Sequence, residues 1–466
     1  MKKTTLKKLG ALAMATLTAL SFGGCVGGGG GGTRDGKVKL EFVHYWPEHA
    51  TLLKEICQEY SVRNPNVTIT PTNVPYSNIE QQLMSMLRSG GLPDVFCYWA
   101  NQCYSLAKDG YLADIDAFVE AERGNYVNNA FSLEDGKING HYYAAPFRAS
   151  GFVIVYNKKM FEDNDWDVPT TLEELETLCY DVVEDSNGEL TPLAVYGTSS
   201  GTMMQVKSTF DAYINILSGL VDDPAYYCNR QDASKEPELE QLYADSLVKF
   251  KKWYDDGFFT LDPQTRDNAQ KEFTNGKAPM ILFNNNNLDV LQETIGNDFQ
   301  IGAISFPSPK IVQDLKLNTY TNGTFDSIFI AKSTKNYDEA VKFMSYLMSD
   351  EVQQMWAEKT RSVSLKKNVT YADSEQRNMA TLLAQLGAYP QKADFKMSTN
   401  ATNDNYSMLT NYLTNATNLT ALQVVQKGFA NTVKSVTDEI LNPGKMTMIE
   451  IITKLDYSDD KYTWLS

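Results

Sequence analysis

Aromatic and amide side chains occur together where predicted strands meet loops. In chain order these clusters are Tyr45-Trp46, Tyr98-Trp99 with Asn101, Phe147-Arg148, and the run Asn284–Asn287 that includes Asn285 and Asn286. Flat rings can pack against the C–H faces of a sugar, while amide and guanidinium groups can satisfy its hydroxyls. The pattern therefore predicts a carbohydrate site. The alternative is that each ring packs at a domain rim and that the Asn run is a turn.

No recognised catalytic motif accompanies these clusters. Gly276-Lys277 is followed by Ala278, so there is no P-loop, and neither Gly-x-Ser-x-Gly nor His-Glu-x-x-His occurs. The acidic run Asp163–Asp167 imitates a calcium loop, but Val168 stands where that loop needs glycine, which favours a surface turn. With three histidines in the chain, we expect no metal site and no cofactor. Carboxylate pairs for glycoside hydrolysis stay open, so an exported carbohydrate-active enzyme is an alternative.

Composition excludes several other classes of protein. The 466 residues carry 42 Lys and Arg against 58 Asp and Glu, giving a net charge of −16. A nucleic-acid surface needs clustered cations, so this acidic chain is not expected to bind nucleic acid. At about 150 residues per domain, the length predicts two or three domains. Beyond Cys25 five cysteines remain, which we expect to be buried, with a Cys97–Cys103 disulfide as an alternative.

The N-terminus has the pattern of an export signal. Lysines at positions 2, 3, 7 and 8 precede an apolar stretch, 9–22, that is short for a membrane span. Gly23-Gly24-Cys25 and a glycine tract, 27–32, follow, which resembles a bacterial lipoprotein signal. We therefore predict a signal peptide over 1–24, lipidation of Cys25 and a flexible tether over 25–36. An ordinary signal peptide or an uncleaved anchor is the alternative.

The remaining chain alternates between strand and helix patterns. Predicted strands are 38–45, 67–70, 95–98, 151–156, 278–283, 299–305 and 325–331, and predicted helices include 52–60, 79–88, 235–256, 337–348 and 351–359. Thr171 and Glu174 form a predicted capping box. The alternation predicts an α/β fold with a mostly parallel sheet, in two lobes built from interleaved segments. The region from Ala372 is expected to be helical, with a break in the Thr/Asn-rich patch at 398–420.

Several short motifs occur along the chain in the same order as in a known protein family. The motifs are Val38–Phe42, Asn64–Val67, Gly90–Val95, Asp109–Ile115, Tyr156–Phe161, Pro169–Leu175, Phe273–Met280, and Ser333–Asn336 through Ala340–Phe343. In this order the chain resembles the extracellular solute-binding proteins of family 1, sugar-binding lipoproteins of ABC importers related to maltose-binding protein. The resemblance covers roughly residues 37–360 and adds to the interpretation of the aromatic clusters as a sugar site.

The resemblance implies a periplasmic-binding-protein-like fold of two α/β lobes with a hinge and an interlobe ligand cleft. By that likeness, lobe 1 is 37–148 with 326–365, and lobe 2 is 149–325 with 366–466. Closure on a sugar would create the surface that the membrane permease recognises. The expected protein is a monomer, held at the outer face of a bacterial cell membrane by its lipid. A binding protein for a non-sugar solute is the remaining alternative.

The family likeness also implies roles for particular residues. The loop after the Pro-Asp-Val strand stacks on sugar in family members, which points to Tyr98, Trp99 and Asn101. The segment before the Tyr-Asn-Lys motif contributes hinge contacts, here Arg148 and Ser150. The loop that often carries a tryptophan holds Asn285 and Asn286 instead, a departure from maltodextrin binders. Further candidates are Tyr45, Trp46 and Asp326.

Overall fold

A computed structural model describes the chain from residue 37 onwards. The described ranges are 37–99, 104–127, 137–138, 140–198, 201–217, 237–262, 265–315, 323–372, 376–377, 399–436 and 463–465. Cys25, the predicted signal peptide and the tether lie outside them, as does Asn101. No helix within these ranges is long and apolar enough to cross a bilayer.

Strands and helices alternate along most of the described chain. The strands are β1 (Val38–His44), β2 (Val67–Asn73), β3 (Val95–Trp99), β4 (Lys137–Ile138), β5 (His141–Tyr142), β6 (Ala145–Asn157), β7 (Leu193–Ala194), β8 (Met280–Asn284), β9 (Ile301–Ser305) and β10 (Gly323–Ile330). The helices are α1 (Ala50–Arg63), α2 (Ile79–Ser89), α3 (Tyr104–Lys108), α4 (Asp116–Glu122), α5 (Lys158–Asn164), α6 (Leu172–Asp185), α7 (Thr202–Leu217), α8 (Pro237–Asp255), α9 (Arg266–Thr274), α10 (Leu288–Ile295), α11 (Lys310–Asp314), α12 (Tyr337–Leu347), α13 (Asp350–Thr360), α14 (Thr399–Leu413) and α15 (Ala421–Val436).

The buried side chains form separate cores that define two lobes. The first core takes residues from 40–147 and again from 328–365, and we call the region around it the first lobe. Two further cores take residues from 153 onwards, and the region around them is the second lobe. Ile154 belongs to one of these and Val153 and Val155 to the other, because successive strand residues face opposite sides of a sheet.

Three chain segments connect the lobes. Strand β6 begins with Ala145 in the first core and continues to Val155 in the second lobe, while β10 pairs with it in the opposite direction. In the third segment, Val363 packs in the second lobe and Leu365 in the first. These connections form the hinge of the two-lobe α/β fold.

The sheet is mixed, and the expected mostly parallel sheet is wrong for its centre. Its order is β2-β1-β3-β10-β6-β8-β7, with β9 also paired to β6. The outer pairs β1–β2, β1–β3 and β7–β8 are parallel, whereas each pairing of β6 or β10 is antiparallel. The alternation of elements missed this because β6 and β10 cross between lobes, so a strand–helix–strand repeat does not set their direction.

The Thr/Asn-rich patch contains a helix, α14, where the sequence predicted a break. Leu409 and Leu413 are buried in the second lobe, and this packing outweighs weak local propensity. The hydroxyls of Thr410 and Thr414 donate to main-chain carbonyls one turn earlier, so both side chains have hydrogen-bond partners within the helix. By contrast, the predicted capping box at Thr171 and Glu174 is present at the start of α6.

Cysteines in the described ranges are buried thiols. Cys57, Cys97 and Cys179 are free and buried, and burial raises the pKa of the Cys57 thiol to about 12. The disulfide considered for Cys97 involves Cys103, which lies outside the described residues. Buried, protonated thiols of this kind act as small apolar side chains.

Candidate functional site

Three neighbouring strands bring predicted site residues into one row. Asp326 of β10 lies opposite Trp99 of β3 on one side and Arg148 of β6 on the other. Directly opposed residues of antiparallel strands share a face, so the three side chains stand together where the hinge meets the first lobe. The row therefore joins candidates that are far apart in sequence.

Asp326 is the centre of a buried polar network. Its Oδ2 accepts a hydrogen bond from Arg148 Nε at 2.7 Å, and its Oδ1 accepts one from the Tyr45 hydroxyl at 2.5 Å. All three side chains are buried. Burial, and then the charge of Asp326, raises the pKa of the Tyr45 phenol, so Tyr45 stays protonated and donates. The three candidates thus meet, but they bind one another rather than face open solvent.

Trp46 and Tyr98 are core residues in this structure. Trp46 stacks on Phe147 with ring centroids 5.1 Å apart, and the Arg148 guanidinium lies 4.4 Å from the Trp46 ring centroid. Trp356 of α13 also packs against this group, with its ring centroid 5.5 Å from that of Trp46 and 5.0 Å from that of Phe147. Since Trp46 and Tyr98 are only 2% and 3% exposed, they support the floor of the site and offer no free ring face.

Trp99 and Tyr76 are the rings that remain accessible. Trp99 is partly exposed and packs against Tyr45, while Tyr76 is 63% exposed and lies edge-on to Trp99 at 4.9 Å. Desolvation by the surrounding protein, followed by Asp326 and the phenol of Tyr196, raises the pKa of Tyr76. Tyr196 belongs to the second lobe, and Trp99 lies opposite Asp326 of the hinge strand β10, so the accessible rings stand near the junction of the two lobes.

Tyr76 and Tyr196 were missed by the sequence analysis. Tyr76 is the third residue after β2, which is a parallel strand next to β1, and Tyr45 is the first residue after β1, so both tyrosines follow the carboxyl end of a parallel strand. Applying the strand-end rule to β2 would have found it. Tyr196 follows the two-residue strand β7, which carries too few residues to show a strand pattern.

The asparagine run is hydrogen-bonded to the hinge strand β6. Asn284 Nδ2 donates to Ser150 Oγ at 3.2 Å, and Asn285 Oδ1 accepts from the Gly151 main-chain N–H at 2.9 Å. These predicted residues therefore fix the hinge strand. Asn286 is 1% exposed, and in the described part of the chain neither atom of its side-chain amide has a hydrogen-bond partner.

The histidines make separate contacts. His44 Nδ1 lies 3.2 Å from Asn73 Nδ2, and His49 Nε2 lies 3.1 Å from Asp289 Oδ2. His141 Nδ1 lies 2.6 Å from Asp116 Oδ2, and Asp114 is close enough for the three groups to share an ion. This last cluster is at the surface and its Asp116 carboxylate already accepts from the Tyr142 N–H, so its geometry is that of a hydrogen-bonded turn.

Comparison with known proteins identifies the family. The profile of a family described as bacterial extracellular solute-binding protein matches residues 55–385. The chain belongs to this family.

The chain is also similar to individual relatives and to a solved structure. The solute-binding chain is 25% identical over 357 residues to the Multiple sugar-binding protein of Streptococcus mutans, covering 75% of this chain and 80% of the relative. It is 22% identical to the maltooligosaccharide ABC transporter solute-binding lipoprotein of Streptococcus pneumoniae, over 82% of this chain and 86% of that one. The structure of the sugar-binding protein MalE from Xanthomonas citri superposes with a TM-score of 0.70 at 15% identity, covering 88% of this chain and all of that one. The two-lobe fold of this solute-binding protein is the fold of that structure.

Proposed function

We propose that this solute-binding protein captures a mono- or oligosaccharide between its lobes and delivers it to the permease of an ABC importer. The observation that carries the proposal is the accessible ring pair Tyr76 and Trp99 at the junction of the lobes. Both named relatives are sugar receptors, and one is part of an ABC transporter. Rings at such a junction suit a ligand with flat C–H faces.

In the proposed binding mode, residues of both lobes contact the sugar. Trp99 and Tyr76 stack on the sugar from the first lobe, while Tyr196 and the amide of Asn286 approach from the second. Arg148 Nη1, buried and without a hydrogen-bond partner among the described residues, is oriented by Asp326 to donate to a ligand hydroxyl. Asn101, which follows Trp99 closely in sequence, is proposed as a further contact.

Lobe closure is the proposed mechanism of capture. We assign lobe 1 to 37–148 with 326–365 and lobe 2 to 149–325 with 366–466. The membership of the separate cores supports this division except at Val363, which lies in the lobe 1 range but packs in a second-lobe core. A sugar that contacts both lobes binds the closed arrangement better than the open one, so it shifts the population toward closure. The closed surface is what a permease would recognise.

The proposed setting is the outer face of a bacterial cell membrane. Cleavage of residues 1–24 and lipidation of Cys25 would anchor the chain, with 25–36 as the tether. The family and the named relatives are binding proteins, and we propose that this chain likewise has no catalytic activity. It is proposed to work as a monomer that binds no nucleic acid.

A ligand screen tests the proposal directly. The mature chain without its lipid is heated with mono- and oligosaccharides, amino acids and polyamines. A ligand that binds only the folded state at 100 times its Kd should add about 2.7 kcal/mol to the free energy of unfolding and raise Tm. Stabilisation by one class of sugar, without turnover on overnight incubation, supports the proposal. Turnover would indicate a carbohydrate-active enzyme, and stabilisation by amino acids or polyamines alone would refute a sugar receptor.

A further inference from the structure

A side-chain contact outside the hinge strands joins the two lobes. His49 Nε2 lies 3.1 Å from Asp289 Oδ2, although 240 residues separate them in sequence. His49 directly precedes α1, whose Leu53 belongs to the first core. Asp289 lies in the first turn of α10, whose Leu291 belongs to the second lobe. The contact therefore links two separately packed units.

The residues around the contact hold the His49 ring in place and leave both side chains with few other partners. His49 is 5% exposed and its ring lies edge-on to Trp356 at 5.2 Å, so the imidazole is held in place by the first lobe. Within the described ranges His49 Nδ1 and Asp289 Oδ1 have no hydrogen-bond partner. The Nε2–Oδ2 contact is then the one hydrogen bond that satisfies either side chain, with Nε2–H as the donor.

We infer that the arrangement of the lobes in this structure is the closed one, and that His49 and Asp289 form an interlobe latch that stabilises it without touching the ligand. The hinge segments are continuous chain and persist in any arrangement, whereas this contact exists only while α1 and α10 are adjacent. Rotation of one lobe against the other would separate the two groups and return them to water. This inference rests on the proposed function, because it assigns a control of affinity to a receptor that closes.

The latch acts on every ligand equally. The apparent Kd of a ligand that needs the closed state equals its intrinsic Kd divided by the closed fraction. Removing the latch lowers that fraction, so all ligands lose affinity by the same factor. A residue that contacts the sugar would instead change affinity by different factors for different sugars.

The experiment compares His49→Phe and Asp289→Ala, singly and together, in the mature chain without lipid. Phenylalanine keeps a ring against Trp356, and circular dichroism checks that each variant folds. The matched controls are His141→Phe and Asp116→Ala, which break a 2.6 Å contact inside the first lobe. Small-angle scattering of the ligand-free protein gives the radius of gyration, and calorimetry gives Kd for two probes, maltotriose and raffinose.

The latch predicts a larger radius of gyration for both single variants than for the wild type and the controls. It also predicts that Kd rises about threefold to tenfold, the range of one hydrogen bond, by the same factor for each sugar that binds. The double variant should be no worse than either single one, because one contact is lost in each case. An unchanged radius of gyration, or unequal factors for the two sugars, would overturn the latch. If neither sugar binds but the radius still increases, the carbohydrate proposal is refuted for these sugars and the latch stands.

Discussion

At the scale of single residues, the site is organised by one buried carboxylate. A buried charge is tolerated when its oxygens are paired, and Asp326 has a partner on each oxygen, Arg148 and Tyr45. The same pairing fixes the Arg148 guanidinium against Trp46 and leaves its Nη1 without a hydrogen-bond partner in the described part of the chain. We therefore propose that Asp326 orients Arg148 for a ligand.

Trp99→Ala should weaken sugar binding at least tenfold while leaving the fold intact. Trp99 is partly exposed beside Tyr76, so its ring can contribute contact area to a ligand, and tenfold corresponds to about 1.4 kcal/mol. Calorimetry with the sugar found in the screen measures the change. Tyr111→Ala is the control, because Tyr111 is an exposed aromatic residue of the first lobe that has no role in the proposed site. Equal affinity of Trp99→Ala and wild type would exclude Trp99 from the site.

His44 should make the protein less stable in mild acid. Burial lowers the pKa of His44 from 6.5 to about 4, and its Nδ1 accepts from the Trp46 N–H, a bond that needs the neutral ring. Between these two values the unfolded chain binds a proton that the folded chain does not, so stability is present above pH 6.5 and falls toward pH 4. The loss amounts to about 3 kcal/mol.

Urea unfolding across this pH window, on wild type and His44→Gln, measures the contribution. Glutamine keeps an acceptor for the Trp46 N–H but does not titrate, so the other acidic and histidine groups cancel in the difference. The wild type should lose stability more steeply as pH falls. Identical pH profiles for the two proteins would show that His44 is not buried in its neutral form.

At the scale of elements, the sequence predicts where a helix or strand lies along the chain better than which other elements pack beside it. Helix and strand bounds such as 79–88 and 95–98 come within a few residues of α2 and β3, because apolar periodicity reflects local burial. Periodicity carries no information on which strands become neighbours, so the antiparallel centre of the sheet was not foreseen. Tyr98 and Trp99 show the same limit within the site: they are adjacent in sequence, yet one is buried and the other accessible.

Helix α14 contacts the loop that carries Tyr196. This helix lies outside residues 55–385, the region that the family profile matches. The Tyr406 hydroxyl donates to the Gly197 carbonyl at 2.5 Å, next to Tyr196, and Tyr196 N–H itself donates to Thr202 Oγ1. The loop that carries Tyr196 is therefore supported by side chains from α7 and α14. The C-terminal region thus contributes to the geometry of the proposed cleft.

Tyr406→Phe should remove that support at a cost of about 1 kcal/mol in the free energy of unfolding, the net value of one hydrogen bond. Sugar affinity should fall as well, since Tyr196 is less well held. Tyr412→Phe, on the same helix, is the control, because no hydrogen bond of its hydroxyl occurs in the described part of the chain. Urea unfolding and calorimetry measure the two effects. Equal results for both variants would mean that the Gly197 contact does not support the loop.

At the scale of the whole molecule, the site exists only because distant segments converge. Tyr45 directly follows β1, Arg148 lies in β6 and Asp326 in β10, and Tyr196 and Asn286 come from the other lobe. The aromatic and amide clusters in the sequence identified many of these residues, and the family resemblance supplied the two-lobe arrangement. Which rings stay accessible is set by packing between segments, and neither a strand pattern nor a motif records it.

The proposed lipid anchor at Cys25 would attach the two lobes to the membrane. Cys25→Ala should move the protein from the membrane fraction to the soluble fraction, because a lipid-modified cysteine would be its attachment and stable anchoring needs more than one acyl chain. Fractionation with immunoblotting, together with labelling by a radioactive fatty acid, measures both location and modification. Ser21→Ala is the control in the same leader and should stay on the membrane. If Cys25→Ala also stays on the membrane, the apolar stretch at 9–22 is an uncleaved anchor; if wild type takes up no lipid label, the leader is an ordinary signal peptide.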